Sequence, residues 1–394
     1  MLNFEFQVPT QVFFGEGAEK EVGQRVKEFG GHKALIHFGS RHSKQSGLID
    51  RIAGYLHKEG IETVELGGVQ PNPRLGLVYK GIELCRREEV DFILAVGGGS
   101  VIDSAKAIAL GVPYEGDVWD FFTRKQKVER LLPLGAVVTM PAAGSEVAVG
   151  SVITNEDGMQ KIPLNNRKMR PLFAVLDPLL TLSLPPYQTA CGIADIMSHV
   201  MENYFSRTQN TELGDRLCEA CMKTLIHNGR IVMEHPGDLA ARSEIMWAAS
   251  LAQAGLLCTG RQGDWASHDI ENELSAVYDV AHGAGLAVVF PGWMKYVFEA
   301  DIRVFVRFAT RVWNLDPSQF SDERALALAG IERLSDFFTQ LGLPSTLAQL
   351  GIPEDIIKDQ LEMLAERAVK NGGTGQFMKL YKEDVLHILK NCAG

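Results

Sequence analysis

Apolar residues change their spacing along this chain. In the first half, short apolar runs alternate with longer stretches in which apolar positions recur every three or four residues. KALIHFGS (33–40) is one such run, and residues 41–60 after it carry helical spacing. IETVELGGV (61–69) is a second, closed by the turn PNPR (71–74), and LGLVYKGIELCRREEV (75–90) reads as a helix. DFILAVGGG (91–99) leads from a strand into glycines, and SVIDSAKAIALG (100–111) is helical again. Strands separated by helical stretches of this length predict a doubly wound, mostly parallel sheet. The unbroken run FILAV fits a strand buried on both faces. Residues 131–178 are rich in β-branched and turn residues, and predict further strands with a hairpin at Asp157-Gly158. From about Ala190 helical periodicity takes over, interrupted at EHPGD, LGLPS and LGIPED. The pattern therefore predicts an α/β domain over 1–184 and an all-α domain over 185–394.

Length and composition agree with two soluble domains. The chain has 394 residues, more than one core usually serves, with 46% hydrophobic and 22% charged residues. A net charge of -10 argues against nucleic acid, which requires a basic face. No apolar stretch approaches the roughly 18 residues of a membrane span, and MLNFEFQVPTQ lacks the basic and apolar regions of a secretory signal. Six scattered cysteines fit reduced thiols in a cytoplasmic protein. Cys218 and Cys221 form a CxxC, but it lies in a helical pattern without a second pair and reads as helix-packing thiols.

Candidate chemistry lies at two places. Asp195 and His199 are four apart on a predicted helix, hence on one face, and His268 and His282 follow downstream. Three imidazoles and a carboxylate suit Fe(II) or Zn(II) and leave positions open for a substrate oxygen. His32, His57, His227, His235 and His387 have no such company and read as structural or exposed. The second place is the strand-to-helix turn Gly97, Gly98, Gly99 and Ser100, where glycines and a helix N-terminus suit a pyrophosphate. The turn is neither GxGxxG nor a P-loop, which excludes triphosphate hydrolysis. An earlier turn, Gly39, Ser40, Arg41, His42 and Lys44, offers basic residues and no carboxylate, which predicts NADP in preference to NAD.

Taken together, PNPR (71–74), GGGSVIDSAKAIA (97–109), PAAGSEVAVGSVITN (141–155), LDP (176–178), GIADIMSHVMENY (192–204) and the DWASH…AHGAG block resemble the iron-containing alcohol dehydrogenases, closest to their butanol dehydrogenase-like branch. The resemblance implies a dinucleotide-binding domain, a helical metal-binding domain and a metal in the cleft between them. It implies that Asp195, His199, His268 and His282 hold a divalent metal, iron more than zinc. It also implies cofactor contacts from Gly39 and the turn it opens, Asn72, the Gly97–Ser100 turn, Asp103, Thr139 and Lys161, and a homodimer. One position departs from the pattern. Four residues after His268, where the butanol-type sequences carry a further histidine as a proton relay, this chain has Asn272. An amide orients groups by hydrogen bonds but does not exchange protons near neutral pH.

The activity so implied is hydride transfer between a nicotinamide and a small alcohol or aldehyde whose oxygen a metal polarises. Trp119, Phe121, Phe122 and Trp265 are candidates for apolar pocket walls and equally for core aromatics. Glu202, one turn beyond His199, is either an outer partner of the metal ligands or a surface charge. Glycerol dehydrogenases and dehydroquinate synthases resemble the same architecture, but synthase substrates need basic groups near the metal, and no arginine adjoins a ligand here. A protein that binds nucleotide and metal without turnover is the remaining alternative.

Overall fold

The structure is a computed structural model that describes residues 1–39, 41–352 and 354–393, with the side chains of residues 41, 42 and 354–359 excluded. Among the described residues eight strands form: β1 (Gln11–Phe14), β2 (Lys33–Phe38), β3 (Glu62–Leu66), β4 (Phe92–Gly97), β5 (Leu134–Val138), β6 (Gly150–Asn155), β7 (Gln160–Asn165) and β8 (Phe173–Leu176). Six of them pair in parallel in the order β1-β8-β5-β4-β2-β3, while β6 and β7 make a separate antiparallel hairpin. Between the strands run α1 (Val22–Glu28), α2 (Arg41–Gln45), α3 (Leu48–Lys58), α4 (Leu75–Arg87), α5 (Gly99–Gly111) and α6 (Trp119–Phe122).

Patterning explains these elements. Every residue of β4 is buried, as its unbroken apolar run requires of a strand covered on both faces. In α3, Leu48, Ile49, Ile52, Ala53 and Leu56 recur at helical spacing and pack with Ile36, Leu94 and Val96 of the sheet. The helical stretch 41–60 is broken at Gly47, whose φ of 72° ends α2 and starts α3. The hairpin turn is at residues 156–159, with Gly158 and Met159 both left-handed. Strand β1 lies outside the strands expected from patterning. It is four residues long, half-exposed, and held by parallel pairing to β8.

The strand order locates a ligand seat. The chain runs from β2 outward to β3, then returns to the other side of β2 to lay down β4, β5 and β8. Neighbouring connections diverge between the carboxyl ends of β2 and β4, and in open α/β sheets the crevice at that divergence receives the ligand. Both glycine turns, Gly39 after β2 and Gly97–Ser100 after β4, lie there.

The remaining helices are α7 (Pro186–Tyr204), α8 (Glu212–Glu234), α9 (Leu239–Gln253), α10 (Ala266–Tyr278), α11 (His282–Val297), α12 (Ile302–Arg311), α13 (Glu323–Gln340), α14 (Glu354–Ala368) and α15 (Lys382–Asn391). Their core is aromatic: Phe205 packs on Phe290, Trp293, Phe305 and Phe308. Among the described residues, no helix is long and apolar enough to cross a membrane. The chain divides into two units, Gln7–Ser183 and Met1–Phe6 with Leu184–Gly394. In this grouping the first six residues go with the helices, whereas the sequence pattern placed them in a domain of residues 1–184. The Met1 ammonium donates to the Gln209 carbonyl (2.6 Å) and the Leu2 N–H to the Gly260 carbonyl (2.7 Å).

Candidate active site

Helix α7 is buried on all sides from Thr189 to Tyr204, so the polar residues it carries are enclosed. Asp195 and His199 share one face, with His199 Nδ1 3.5 Å from Asp195 Oδ1. His268 is the third residue of α10 and His282 the first of α11. One ligand atom each from Asp195, His268 and His282 lie within 4.8 Å of one another. The His199 ring stacks on His268 with centroids 4.7 Å apart, and His268 is 5.4 Å from His282. The fold thus brings Asp195, His268 and His282 into one group and sets His199 against Asp195 and His268.

The chemistry of the cluster fits a cation. Asp195 Oδ1 and His199 Nδ1 are buried without a hydrogen-bond partner, a costly condition for polar atoms inside a protein. Burial drives His199 down to about 3, which keeps its ring neutral, the form that ligates metals. Three nitrogens and one oxygen form a borderline donor set suited to Fe(II) or Zn(II). The His282 side chain retains 27% exposure against 6% for Asp195, so access is from its side.

Two buried carboxylates stand behind the histidines. Glu202 Oε1 lies 2.8 Å from His268 Nδ1 and accepts from the His268 N–H (3.3 Å), while its Oε2 accepts from the Trp265 N–H (2.7 Å). Burial raises the Glu202 carboxyl, and the backbone N–H groups of Trp265 and His268, which favour its ionised form, lower it. Glu271 Oε2 pairs with His282 Nδ1, and its Oε1 accepts from the Ser275 hydroxyl. Glu202 was one of the candidates; Glu271 was missed, although it lies one turn after His268 on the same helix. Glycines set the helix spacing. A Cβ on Gly283 would come within 2.0 Å of the Cys191 carbonyl, and one on Gly285 within 2.7 Å of Glu271 Oε1. The HGAG run therefore lets α11 close on α7 and α10 and carries His282 to Asp195.

Other candidates fall as follows. The Trp265 ring lies 5.3 Å from His268 and 6.1 Å from His199, walling the cluster. Phe121 and Phe122 are buried, and Trp119 stacks on Phe122 at 5.3 Å. Asn272 is half-buried on α10, one turn after His268. Cys218 and Cys221 are free thiols, raised by burial to about 12 and about 11, which makes them inert.

In the α/β unit, Gly98 caps α5 and Gly99 begins it. The segment after β5 covers this turn: a Cβ on Gly99 would meet Ala143 Cβ at 2.7 Å, and Thr139 N–H donates to the Gly97 carbonyl (3.1 Å). Asp103 is turned inward, accepting from the Ser145 hydroxyl (2.5 Å) and the Val152 N–H (2.8 Å). Lys161 is buried on β7, and its charge acts on Asp103. Lys106, missed in the sequence, is fully buried and donates to the carbonyls of Ser145 (2.7 Å), Ala148 (3.0 Å) and Gly150 (2.7 Å). Its signal was a lone cation in a mostly apolar helix that also carries Asp103. Asn72 is buried with a left-handed φ of 54°. Lys44 is held by Asp50 and Glu65, 2.7 Å from each. Ser40 and the Arg41 and His42 side chains lie outside the described residues.

Comparison with known proteins decides what this geometry belongs to. Residues 9–178 match the iron-containing alcohol dehydrogenase family, and residues 189–393 match the C-terminal domain of Fe-containing alcohol dehydrogenases. The chain belongs to the iron-containing alcohol dehydrogenase family. It is 43% identical to NADH-dependent butanol dehydrogenase A of Clostridium acetobutylicum, over 99% of each chain. It is 33% identical to the NADPH-dependent aldehyde reductase YqhD of Escherichia coli, over 95% of each. The crystal structure of NADH-dependent butanol dehydrogenase A from Thermotoga maritima superposes with a TM-score of 0.95 at 39% identity, covering 100% of this chain and 99% of that one. Membership of the family makes this an NAD(P)-dependent alcohol dehydrogenase, with a butanol dehydrogenase-like sequence throughout.

Proposed function

We propose that the enzyme interconverts short-chain aldehydes and primary alcohols, with NADH and a divalent iron ion held by Asp195, His199, His268 and His282. The observation that carries this reading is the pair of buried, unpartnered atoms, Asp195 Oδ1 and His199 Nδ1, facing two further imidazoles. When bound, the ion and the nicotinamide supply the chemistry, a Lewis acid for the carbonyl oxygen and a hydride for its carbon. The chain's own residues hold and orient. Gly97–Ser100 and the α5 N-terminus seat the pyrophosphate, and Thr139, Asn72 and the Gly39 turn border that seat. Asp103 and Lys161 act from behind the turn, since Asp103 already accepts two hydrogen bonds from the covering segment. Asn272 orients the substrate by hydrogen bonding and exchanges no proton near neutral pH. Trp265 supplies an apolar wall.

For the cofactor, the basic turn predicted NADP. Of its basic side chains only Lys44 is described, and two carboxylates hold it. The relatives at 43% identity carry NADH-dependent names and the one at 33% an NADPH-dependent name. Both points support NADH. Family likeness supports a homodimer in the cytoplasm, which the mass in solution checks.

The test is to strip the protein with chelator, reload it anaerobically with Fe(II) or Zn(II), and follow NADH and NADPH oxidation by propanal, butanal and longer aldehydes. Turnover restored by Fe(II), faster with NADH, is the expected result. His282→Ala is expected to lose the ion and turnover while keeping its fold, and normal turnover by that variant with a full complement of metal would overturn the ligand assignment.

A further inference from the structure

We propose that Glu202 and Glu271 are positioning residues for the metal ligands: each fixes one imidazole with its proton on Nδ1 and presents Nε2 to the ion. The inference rests on the metal site of the proposed function. Both carboxylates are wholly buried, and each bonds the Nδ1 of a different histidine. A carboxylate accepts and does not donate, so the partner nitrogen must carry the proton and the other must carry the lone pair. A carboxylate behind a ligating imidazole also raises its basicity, and losing such a partner costs about 10–100-fold in metal affinity.

The two differ in what else they hold. Glu202 accepts the Trp265 and His268 N–H groups at the start of α10, so it also caps that helix. Glu271 spans from α10 to the first residue of α11, with the Ser275 hydroxyl on its other oxygen. Glu271 therefore links the ligand to its own helix, whereas Glu202 joins ligand orientation to the capping of α10.

Co(II) and Zn(II) titrations of the stripped full-length protein test this, with the Co(II) visible spectrum and chelator competition as readouts. Glu271→Gln is expected to weaken Co(II) and Zn(II) binding about 10-fold or more, to speed ion release and to shift the Co(II) bands, while the metal-free protein melts as wild type does. Glu202→Gln is expected to weaken binding and lower the metal-free melting temperature together. Wild-type affinity in Glu271→Gln, or affinity lost only in step with metal-free melting, overturns the inference. Failure of the wild-type protein to bind either ion, by contrast, overturns the metal site itself.

Discussion

Each unit of this enzyme buries a cluster of charged and polar side chains, and the two clusters are finished differently. In the α/β unit, Lys106 satisfies three carbonyls and the Ser145 hydroxyl, and Asp103 accepts from Ser145 and Val152. In the helical unit, Asp195 Oδ1 and His199 Nδ1 are left without partners beside two more imidazoles. A closed cluster is architecture, because its members complete each other. An open one is unfavourable until something else completes it, and such positions recur where proteins bind and react. Burial and charge alone do not separate the two; hydrogen-bond bookkeeping does.

The largest expected effect comes from breaking the closed cluster. Lys106→Met leaves three carbonyls and the Asp103 carboxylate without their cation, and is expected to cost about 3–5 kcal/mol, read from the denaturant midpoint. A loss below about 1 kcal/mol would mean that the cluster is not the closed unit described.

Next is a pH effect in the same unit. His37 donates or accepts at both ring nitrogens, with the Leu66 carbonyl and the Ser104 hydroxyl, and burial lowers it from 6.5 to about 4. Between those values the unfolded chain takes up a proton that the folded one refuses, so stability falls as pH falls from 6.5 toward 4. The single group accounts for about 3 kcal/mol over that range. His37→Gln is expected to flatten the slope of stability against pH by that amount, and an unchanged slope would show that His37 does not contribute.

The smallest change in stability is expected at the open cluster, which sharpens the contrast. Asp195→Asn removes a buried charge whose Oδ1 accepts no hydrogen bond, so the metal-free variant should melt at or slightly above wild type while failing to retain metal. A clear drop in metal-free stability would place Asp195 among the architectural residues.

Much of this was legible in the sequence, for definite reasons. Runs such as FILAV and the helical spacing of 48–56 announce a sheet covered on both faces, because burial imposes those periods. The four proposed ligands stood out because Asp195 and His199 are one turn apart on a helix and two further histidines follow downstream. What escaped depends on distant partners. Strand β1 is too short to show a period and owes its existence to β8. Lys44 looked free to meet a phosphate because Glu65, which holds it, is 21 residues away on β3. Glu271 was in plain view beside His268, but its partner His282 is on the following helix.

The amino-terminal segment has a practical consequence. Met1 and Leu2 are bonded to Gln209 and Gly260, so these two residues wait for partners made more than two hundred positions later. Gln7–Ser183, an uninterrupted stretch, has all its strands in hand well before then. An affinity tag fused ahead of Met1 replaces the ammonium that donates to Gln209, and so bears on the helical unit, which carries the proposed ligands, rather than on the sheet. Carboxyl-terminal tagging is the safer choice for every metal-binding measurement described above.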